Sequence, residues 1–271
     1  MDEAMIHLRE IQLREGETRP EDFPFNLPVI RRWEPLAFSA PVTILVGENG
    51  SGKSTVLEAV ACAAEIITVG SGAAHRDPSL AHVHALAKWF KLIWSKRVRK
   101  GFFLRAEDFF GFVKRQSQTR IEMQRELDRV KEEYRGRSKQ AQELARMPLT
   151  RELGDMHKRY GDGLDTQSHG ESFLALFQSR FVPGGLYLLD EPEAPLSPLR
   201  QLALISMIKQ MAAEDSQFII ATHSPILMAY PEAEILSFDL APIRPVAYDS
   251  LEHVNLMRDF LNDPDSFLRY L

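Results

Sequence analysis

The sequence predicts an α/β fold in which helices flank a largely parallel sheet. Three short apolar runs, at 42–46, 185–189 and 217–221, have the composition of strands that are buried on both faces. Helix-like spacing of apolar residues follows two of these runs, at 53–64 and 199–212. Strands that alternate with helices in this way form parallel sheets, and functional residues collect in the loops at the carboxyl ends of the strands.

Shorter signals predict the remaining strands and the C-terminal helices. Alternating apolar and polar residues at 5–13 predict a half-buried strand. The proline-rich stretch 20–41 predicts loop or sheet edge, and 234–238 predicts an edge strand. We expect Ser250 to cap a C-terminal helix and Pro264 to begin a short final one.

The middle of the chain, 70–165, predicts a helical, basic insertion within a single domain of residues 1–271. Residues 85–94 have a helical pattern, and 102–104 predict a short strand. Beyond them the chain is highly charged, with apolar residues three and four positions apart. This spacing predicts one long helix, or a helical hairpin bent near Gly136. The apolar positions are Met123, Leu127, Val130, Tyr134, Ala141 and Leu144.

Composition and the N-terminal residues indicate the class of protein and its location. With 271 residues and 44% hydrophobic content, the chain can bury a sizeable core. The single cysteine, Cys62, excludes a disulfide framework and a cysteine-pair zinc site. The N-terminus is charged from its second residue, unlike a signal peptide, and no apolar run approaches the ~20 residues that cross a bilayer. We therefore expect a soluble, cytoplasmic protein without a transmembrane segment.

Charge is distributed unevenly along the chain. The formal net charge is -5, yet residues 88–159 hold 20 Lys and Arg against 10 Asp and Glu. A basic segment of this kind can bind nucleic acid or an acidic partner protein. Aromatic residues among the cations favour nucleic acid, but a solvated helical face over an aromatic core explains the same pattern. The residues concerned are Trp89, Phe90, Trp94, Lys96, Arg97, Arg99, Lys100, Phe102 and Phe103.

A glycine-rich loop joins the first buried strand to the helix that follows. Its sequence, GENGSGKS at 47–54, matches G-x-x-x-x-G-K-[ST] in the strand–helix context that a phosphate-binding loop requires. Glycines let successive backbone N–H groups turn inward as an anion nest at the positive end of the helix. Lys53 adds a mobile positive charge for the β- and γ-phosphates, and Ser54 a hydroxyl for Mg²⁺. The predicted nucleotide contacts are Glu48, Asn49, Gly50, Ser51, Gly52, Lys53, Ser54 and Thr55.

Two further polar clusters follow the other buried strands. Asp190 and Glu191 end the run LYLL, where Asp190 would hold Mg²⁺ and Glu191 would act as general base for a water that attacks the γ-phosphate. His223 follows the next strand, where it can stabilise charge that develops on the γ-phosphate. An isolated Asp-Glu pair is usually a solvated turn, and an isolated histidine usually structural. The phosphate loop favours the functional interpretation of both.

Four motifs, GENGSGKST, SHGES, LYLLDEPEAPLSP and IIATHSP, stand in this order along the chain. They resemble the ATPase core of the ABC superfamily, and the soluble stand-alone ATPases of that superfamily more closely than the transporters. The heads of SMC and double-strand-break-repair ATPases are also similar. The resemblance covers roughly 1–70 and 165–245. It implies a P-loop NTPase fold of ABC type, ATP and Mg²⁺ as cofactors, and Mg-dependent ATP hydrolysis.

The resemblance also implies an ATP-dependent homodimer. The family's signature loop lies shortly before the second carboxylate strand, and SHGES at 168–172 is the candidate for it. Head to tail, each signature loop would cap the ATP of the partner, with Ser168 and the Gly170 backbone N–H at the γ-phosphate. A serine and a glycine at a helix start supply suitable donors. His169 stands where a glycine is common, and Glu171 where transporters prefer glutamine.

Three further positions of the family are matched less closely. Residues 196–198, Leu-Ser-Pro, take the place of the dimer-contacting loop without its usual aspartate. For the glutamine loop, Gln116, Gln118 and Glu107 are alternatives. Trp33 is a candidate for stacking on adenine, and the alternative is a core or loop aromatic.

Three functions compete for these motifs. The first is a soluble ATPase whose ATP-driven dimerisation acts on DNA in repair or defence, or moves a partner protein. The alternative is the ATPase subunit of a membrane transporter, which the charged insertion disfavours because a transporter needs a surface there for a coupling helix. A kinase or GTPase is least supported, since Asp190 and Glu191 favour hydrolysis and the chain contains no N-K-x-D motif.

Overall fold

Two sheets and their flanking helices are built from residues 5–15, 20–69, 72–160 and 169–269, which the computed structural model describes. The strands are β1 (Leu8–Leu13), β2 (Leu36–Ala37), β3 (Val42–Val46), β4 (Ile67–Thr68), β5 (Gly72–Ala73), β6 (Phe90–Trp94), β7 (Gly101–Arg105), β8 (Leu186–Asp190), β9 (Gln217–Ala221), β10 (Glu234–Ser237) and β11 (Arg244–Pro245). The helices are α1 (Pro28–Arg31), α2 (Lys53–Ala63), α3 (His84–Trp89), α4 (Ala106–Glu133), α5 (Lys139–Tyr160), α6 (His169–Arg180), α7 (Pro198–Ala213), α8 (Pro225–Met228), α9 (Glu252–Asn262) and α10 (Pro264–Leu268). Within these ranges, no helix combines the length and the apolar character that a membrane crossing requires.

The larger sheet has the strand order β11-β10-β3-β9-β8-β7-β4-β5. Neighbours from β10 to β4 run parallel, and β11 and β5 pair antiparallel at the two edges. Every residue of β3, β8 and β9 is buried, as predicted for strands covered on both faces. Because these strands are parallel neighbours, their carboxyl ends bring the three predicted motifs to one edge of the sheet.

The smaller sheet is antiparallel, with the order β2-β1-β6, and a buried glutamine joins it to the larger one. Leu8 N–H donates to Gln217 Oε1 at 2.8 Å, and Gln217 Nε2 donates to Leu8 O at 2.9 Å. The side chain of Gln217 therefore pairs with β1 as a neighbouring strand would, which satisfies the backbone of a fully buried residue. The half-buried strand predicted at 5–13 is confirmed as β1.

The chain divides into two compact units, residues 1–106 with 182–271, and Glu107–Phe181. The first contains both sheets. In the second, an aromatic cluster holds the start of α4 to α6, where the rings of Phe109 and Phe173 meet edge to face at 4.7 Å. This second unit begins and ends later than the insertion predicted at 70–165, because β6 and β7 pair with strands of the first unit.

The charged helical segment forms a hairpin, α4 and α5, with Gly136 in the connection at a φ of 91°. Met123, Leu127 and Val130 on α4, with Tyr134 directly after it, form the predicted half-buried stripe. The prediction is wrong for Leu144. This residue is 60% exposed. The half-buried stripe of α5 continues from Ala141 to Ala145, four residues later, so Leu144 lies outside it.

Three other predictions need correction. The helix predicted at 85–94 ends at Trp89, and Phe90–Trp94 is strand β6, because it finds a pairing partner in β1. Strand β10 is not an edge strand, since β11 covers it. Ser250 does not cap α9: its hydroxyl donates to Ala247 O at 2.7 Å within a 3-10 turn, and Leu251 precedes the helix.

Candidate nucleotide-binding site

The loop between β3 and α2 packs so tightly that two of its glycines cannot be replaced without strain. Gly47 and Gly52 have φ angles of 147° and 103°, in the region that L side chains rarely adopt. A Cβ at Gly47 would also lie 2.9 Å from Ser51 Oγ. A Cβ at Gly52 would lie 3.1 Å from Val29 Cγ2. The loop leads directly into the first turn of α2, where unpaired N–H groups and the helix dipole favour an anion.

Lys53, the first residue of α2, folds back over this loop. Its side chain is buried, and Nζ donates to Gly47 O at 2.6 Å and to Glu48 O at 2.9 Å. Burial lowers the pKa of Lys53, while the carboxylates of Asp239, Glu191 and Asp190 act in the opposite direction. An ammonium held by neutral carbonyls among carboxylates is suited to transfer its hydrogen bonds to a bound phosphate.

Ser54 and Asp190 bring a hydroxyl and a carboxylate together from different elements. Ser54 Oγ, in the first turn of α2, donates to Asp190 Oδ1, at the end of β8, across 3.0 Å. Asp190 is 7% exposed. Burial is the main reason that its pKa is raised to about 7, with smaller contributions from Glu58 and Glu191, while the Ser54 bond acts in the opposite direction. A nearby divalent cation would favour the charged form of this carboxylate.

Glu191 leaves the sheet immediately after Asp190. Its φ is 49°, in the left-handed region, and its N–H donates to Ala221 O at 2.8 Å. The residue is exposed, so the carboxylate is open to water at the edge of the sheet. This combination of a fixed backbone and a solvated side chain suits a group that accepts a proton from water.

Glu193 and His223 form a contact that the sequence patterns did not reveal. Glu193 Oε1 accepts the backbone N–H of His223 at 2.7 Å. The remaining polar atoms, Glu193 Oε2 and His223 Nε2, are buried without a hydrogen-bond partner among the described residues. Ser51 Oγ, in the phosphate loop, is also buried without a hydrogen-bond partner among the described residues. Buried polar atoms without partners are costly, and a bound ligand with oxygen or hydroxyl groups would satisfy them.

A cavity of about 690 Å³ adjoins the loop on the side of β10 and α9. Asp239 fixes its rim, because Oδ1 accepts the backbone N–H of Glu48 at 2.7 Å. His253 also lines the cavity, and burial lowers its pKa. Polar groups thus face the loop, while Leu240 and Leu256 form apolar parts of the wall.

Solved structures that are similar to this chain include SMC heads and transporter cassettes. The SMC head domain from Thermotoga maritima is 16% identical, over 89% of this chain and 100% of that one, with a TM-score of 0.43. The Smc head domain from Pyrococcus furiosus, bound to the C-terminal domain of ScpA, is 12% identical over 83% and 94%, with a TM-score of 0.42. A dimeric bacterial ABC transporter cassette is 16% identical over 80% and 90%, with a TM-score of 0.41. No curated protein matches the chain.

Two family models match the sequence, one on either side of the signature region. The family described as "AAA domain" matches residues 25–147, which include the phosphate loop. The family described as "AAA domain, putative AbiEii toxin, Type IV TA system" matches residues 172–229, which include Asp190 and His223. Both models describe AAA domains, and each covers less than half of the chain. The mostly parallel sheet with flanking helices, predicted from the sequence, is confirmed.

The residues of this site fit ATP and Mg²⁺, the two groups that the resemblance implies. For ATP, the loop offers a helix start, the Lys53 ammonium and the unpartnered Ser51 hydroxyl. For Mg²⁺, Ser54 and Asp190 offer the hard oxygen ligands that this ion prefers. Of the other predicted contacts, Asn49 and Gly50 are exposed in the loop and Thr55 is half-buried in the first turn of α2.

The predicted signature loop belongs to the helical unit. Ser168 lies outside the described residues. Gly170 is buried in the first turn of α6, and Glu171, the next residue, is exposed. The helix start predicted here is therefore present, and the roles of Ser168 and Gly170 remain predictions.

The candidates for adenine stacking and for the glutamine loop lie in different parts of the fold. Trp33 packs its ring 5.1 Å from that of Phe90 and lies against the hydrophobic core, as in the core interpretation. Gln116 and Gln118 lie well inside α4, and Glu107 lies in its first turn. Arg105, which ends β7 beside Asp190 in the pairing register, was not identified from the sequence.

Glu193, Asp239 and Arg105 have little signal in the sequence. Each follows or ends a strand, as functional residues in such a sheet do, and this position is the available clue. The partners of these side chains are 30 residues or more away in sequence, or on another element, so the spacing within a motif does not reveal them.

Proposed function

We propose that this chain binds ATP with Mg²⁺ on the loop at 47–54 and hydrolyses it. The observation that carries the proposal is the contact of Ser54 with Asp190. It joins the phosphate loop helix to the strand that presents Glu191. One strand end and one helix start thus supply hydrogen-bond donors to the phosphates, oxygen ligands for a cation and a solvated carboxylate.

Each group has a role that follows from its position. The loop N–H groups and Lys53 bind the phosphates, and Lys53 gives up its bonds to the carbonyls of Gly47 and Glu48 when they arrive. Bound Mg²⁺ would stabilise the negative charge on the phosphates. Glu191 orients the attacking water and accepts its proton, and His223 Nε2 interacts with the charge that develops on the transferred phosphoryl group.

Replacement of the proposed base tests the hydrolysis. Glu191→Gln keeps the size of the side chain but accepts a proton poorly, so turnover should fall ~10²–10⁴-fold. ATP affinity, measured by titration with a fluorescent ATP analogue, should stay near that of the wild type. Unchanged hydrolysis in this variant would rule out Glu191 as the base.

The proposal extends to an ATP-dependent head-to-tail homodimer, in which Ser168 and Gly170 of one copy contact the ATP of the other. Glu191→Gln should then form a dimer with ATP and Mg²⁺ in size-exclusion chromatography with light scattering. Ser168→Arg places a bulky cation in that contact, so it should lower hydrolysis while ATP binding survives. A Glu191→Gln protein that stays monomeric with ATP and Mg²⁺ contradicts the dimer.

The charge distribution supports nucleic acid as a second ligand, at a smaller site than the sequence predicted. Residues 88–105 hold seven Lys and Arg and no Asp or Glu, whereas the helical unit, 107–181, holds 14 against 13. The connection from β6 to β7 exposes its cations to solvent, so we propose it as a phosphate-backbone contact. The site consists of cations: Phe90, Phe102 and Phe103 are buried, and Trp89 and Trp94 are half-buried against the hydrophobic core. The exposed cations are Lys96, Arg97, Arg99 and Lys100.

Charge reversal distinguishes this connection from the helical hairpin. Changing Lys96, Arg97, Arg99 and Lys100 to Glu should weaken DNA binding and flatten its salt dependence. The matched control reverses four exposed cations of α4 and the turn after it, namely Arg125, Arg129, Lys131 and Arg135. Equal loss in both variants would point to a diffuse charge effect, and a wild type that binds no nucleic acid at low salt would exclude the proposal.

A further inference from the structure

A buried ion pair holds α2 to the sheet one turn beyond the candidate magnesium ligands. Arg105 Nη1 and Glu58 Oε1 are 3.1 Å apart, and both side chains are 8% exposed. Glu58 lies on α2 and Arg105 ends β7. A buried ion pair adds little to stability, because the cost of removing two charges from water offsets their attraction. We therefore expect this ion pair to have a role other than stabilising the fold.

The register of the sheet aligns this pair with Ser54 and Asp190. Arg105 and Asp190 are direct partners in the parallel pairing of β7 with β8, so their side chains leave the same face of the sheet. Ser54 and Glu58 are four residues apart, so they leave the same face of α2. Asp190 thus contacts the first turn of the helix at 3.0 Å. Arg105 contacts the next turn at 3.1 Å.

Both ends of the ion pair have further partners. Arg105 Nη2 donates to Ser79 Oγ at 2.7 Å, and Ser79 Oγ donates to Asp77 Oδ1 at 2.7 Å. His82 Nε2 lies 2.9 Å from the second carboxylate oxygen of Glu58. Because the guanidinium fork is planar and rigid, these bonds leave Arg105 and Glu58 little freedom to rearrange.

Two contacts one turn apart constrain a helix in a way that one contact cannot. Core packing of Leu57 and Val60 holds the apolar face of α2, whereas Ser54 alone gives its polar face one directional contact with the sheet. The contact of Glu58 with Arg105, about 6 Å further along the helix axis, adds a second one and fixes the spacing of this face from the strand ends. The separation of Ser54 Oγ from the Asp190 carboxylate therefore depends on both.

We propose that Arg105 and Glu58 are positioning residues that hold Ser54 and Asp190 at the spacing at which both bind one Mg²⁺ ion. The inference rests on the proposed function, which assigns the cation to Ser54 and Asp190. Residues that orient metal ligands from behind change metal affinity by about 10- to 100-fold when they are replaced. They do so without touching the nucleotide.

The test measures how ATP affinity depends on Mg²⁺. In Arg105→Met, the Mg²⁺ concentration that gives half of the rise in ATP-analogue affinity should increase about tenfold or more. Affinity in EDTA should be unchanged, because the phosphate loop is intact. The control is Arg244→Met, which removes an exposed arginine from an ion pair with Glu34 and should leave both quantities as in the wild type.

A double variant separates positioning from folding. Arg105→Met with Glu58→Met replaces both charges by apolar side chains, which should restore the melting temperature if Arg105→Met lowers it. The raised Mg²⁺ requirement should persist, since the directional contact is still missing. If the double variant needs no more Mg²⁺ than the wild type, then the ion pair contributes only to folding and the inference is wrong. If the wild type itself binds ATP equally in Mg²⁺ and in EDTA, the proposed function fails and the inference with it.

Discussion

Ser54 Oγ donates to Asp190 Oδ1 across 3.0 Å and so joins the start of α2 to the end of β8. Residues 136 positions apart in sequence thereby form one candidate cation site. If they share a magnesium ion, then the effect of the ion on nucleotide affinity depends on both. The proposed chemistry can be tested at this contact and at the residues around it.

Replacing either ligand should remove the effect of Mg²⁺ on nucleotide binding. In Ser54→Ala and Asp190→Asn, ATP-analogue affinity with Mg²⁺ should fall to the value measured in EDTA, since an oxygen ligand or its charge is lost. Ser95→Ala, at an exposed serine that does not line the cavity beside the loop, is the matched control. A normal Mg²⁺ response in Asp190→Asn would show that the ion is held elsewhere.

The pKa of Asp190 predicts how the stability of the nucleotide-free protein changes with pH. The pKa of this carboxyl is raised to about 7 in the folded protein, against ~3.9 when unfolded. Between these values the folded state holds the proton and the unfolded state does not. The free energy of unfolding should therefore fall as pH rises from ~4 to ~7, by ~4 kcal/mol at most, and then level off.

Asp190→Asn should remove this contribution. Denaturant unfolding without Mg²⁺ should show the variant and the wild type closest near pH 4, with the variant more stable at pH 8. Higher stability of the variant at pH 8 would mean that the carboxylate of Asp190 destabilises the nucleotide-free protein, as is common for functional residues. Parallel stability curves for the two proteins would contradict the raised pKa of Asp190.

Lys53 should matter for nucleotide affinity and little for folding. Lys53→Met keeps most of the length of the buried side chain and removes an ammonium group whose pKa is lowered by burial. ATP-analogue affinity should fall about 10- to 100-fold, the range for a hydrogen bond to a charged group, while the melting temperature should not decrease. The control, Lys209→Met, changes an exposed lysine of α7. A large loss of stability in Lys53→Met would show that Lys53 acts mainly by holding the loop through its hydrogen bonds to Gly47 and Glu48.

Glu193 should act through His223. Glu193→Ala removes the acceptor of the His223 backbone N–H, so kcat should fall as the imidazole shifts, with ATP affinity unchanged. Glu193→Gln keeps an oxygen at this position and should retain most of the activity. His223→Ala should lower kcat ~10²–10³-fold, as for loss of a donor at developing charge. Equal effects of the Gln and Ala variants at position 193 would point to the charge of Glu193 instead.

Gly101 should be required for the pairing of β7 with β8. Its φ is 117°, and a Cβ there would lie 1.8 Å from Leu186 O. Gly101→Ala should therefore destabilise the protein by about 3–5 kcal/mol in denaturant unfolding. Gly184→Ala is the matched control, because Gly184 also has a positive φ, of 69°, with nothing within 4 Å of an added Cβ. It should cost about 1–2 kcal/mol.

The sequence by itself determined the strands of the sheet centre, the phosphate loop and the residues that follow each strand. The apolar runs at β3, β8 and β9 and the glycines of 47–54 are local signals, because strand burial and loop geometry limit which residue types fit. The helical character of the charged segment is likewise local, since it follows from apolar spacing, whereas the choice between one long helix and a hairpin at Gly136 came from the structure.

The tertiary structure alone decided which distant side chains meet. Phe90–Trp94 became a strand because β1 lies beside it, and the side chains of Phe102 and Phe103 became buried when β7 joined the larger sheet. The contacts of Glu193 with His223 and of Arg105 with Glu58 join different elements. Such contacts depend on strand order and register, which arise when the whole sheet assembles, and no local pattern encodes them.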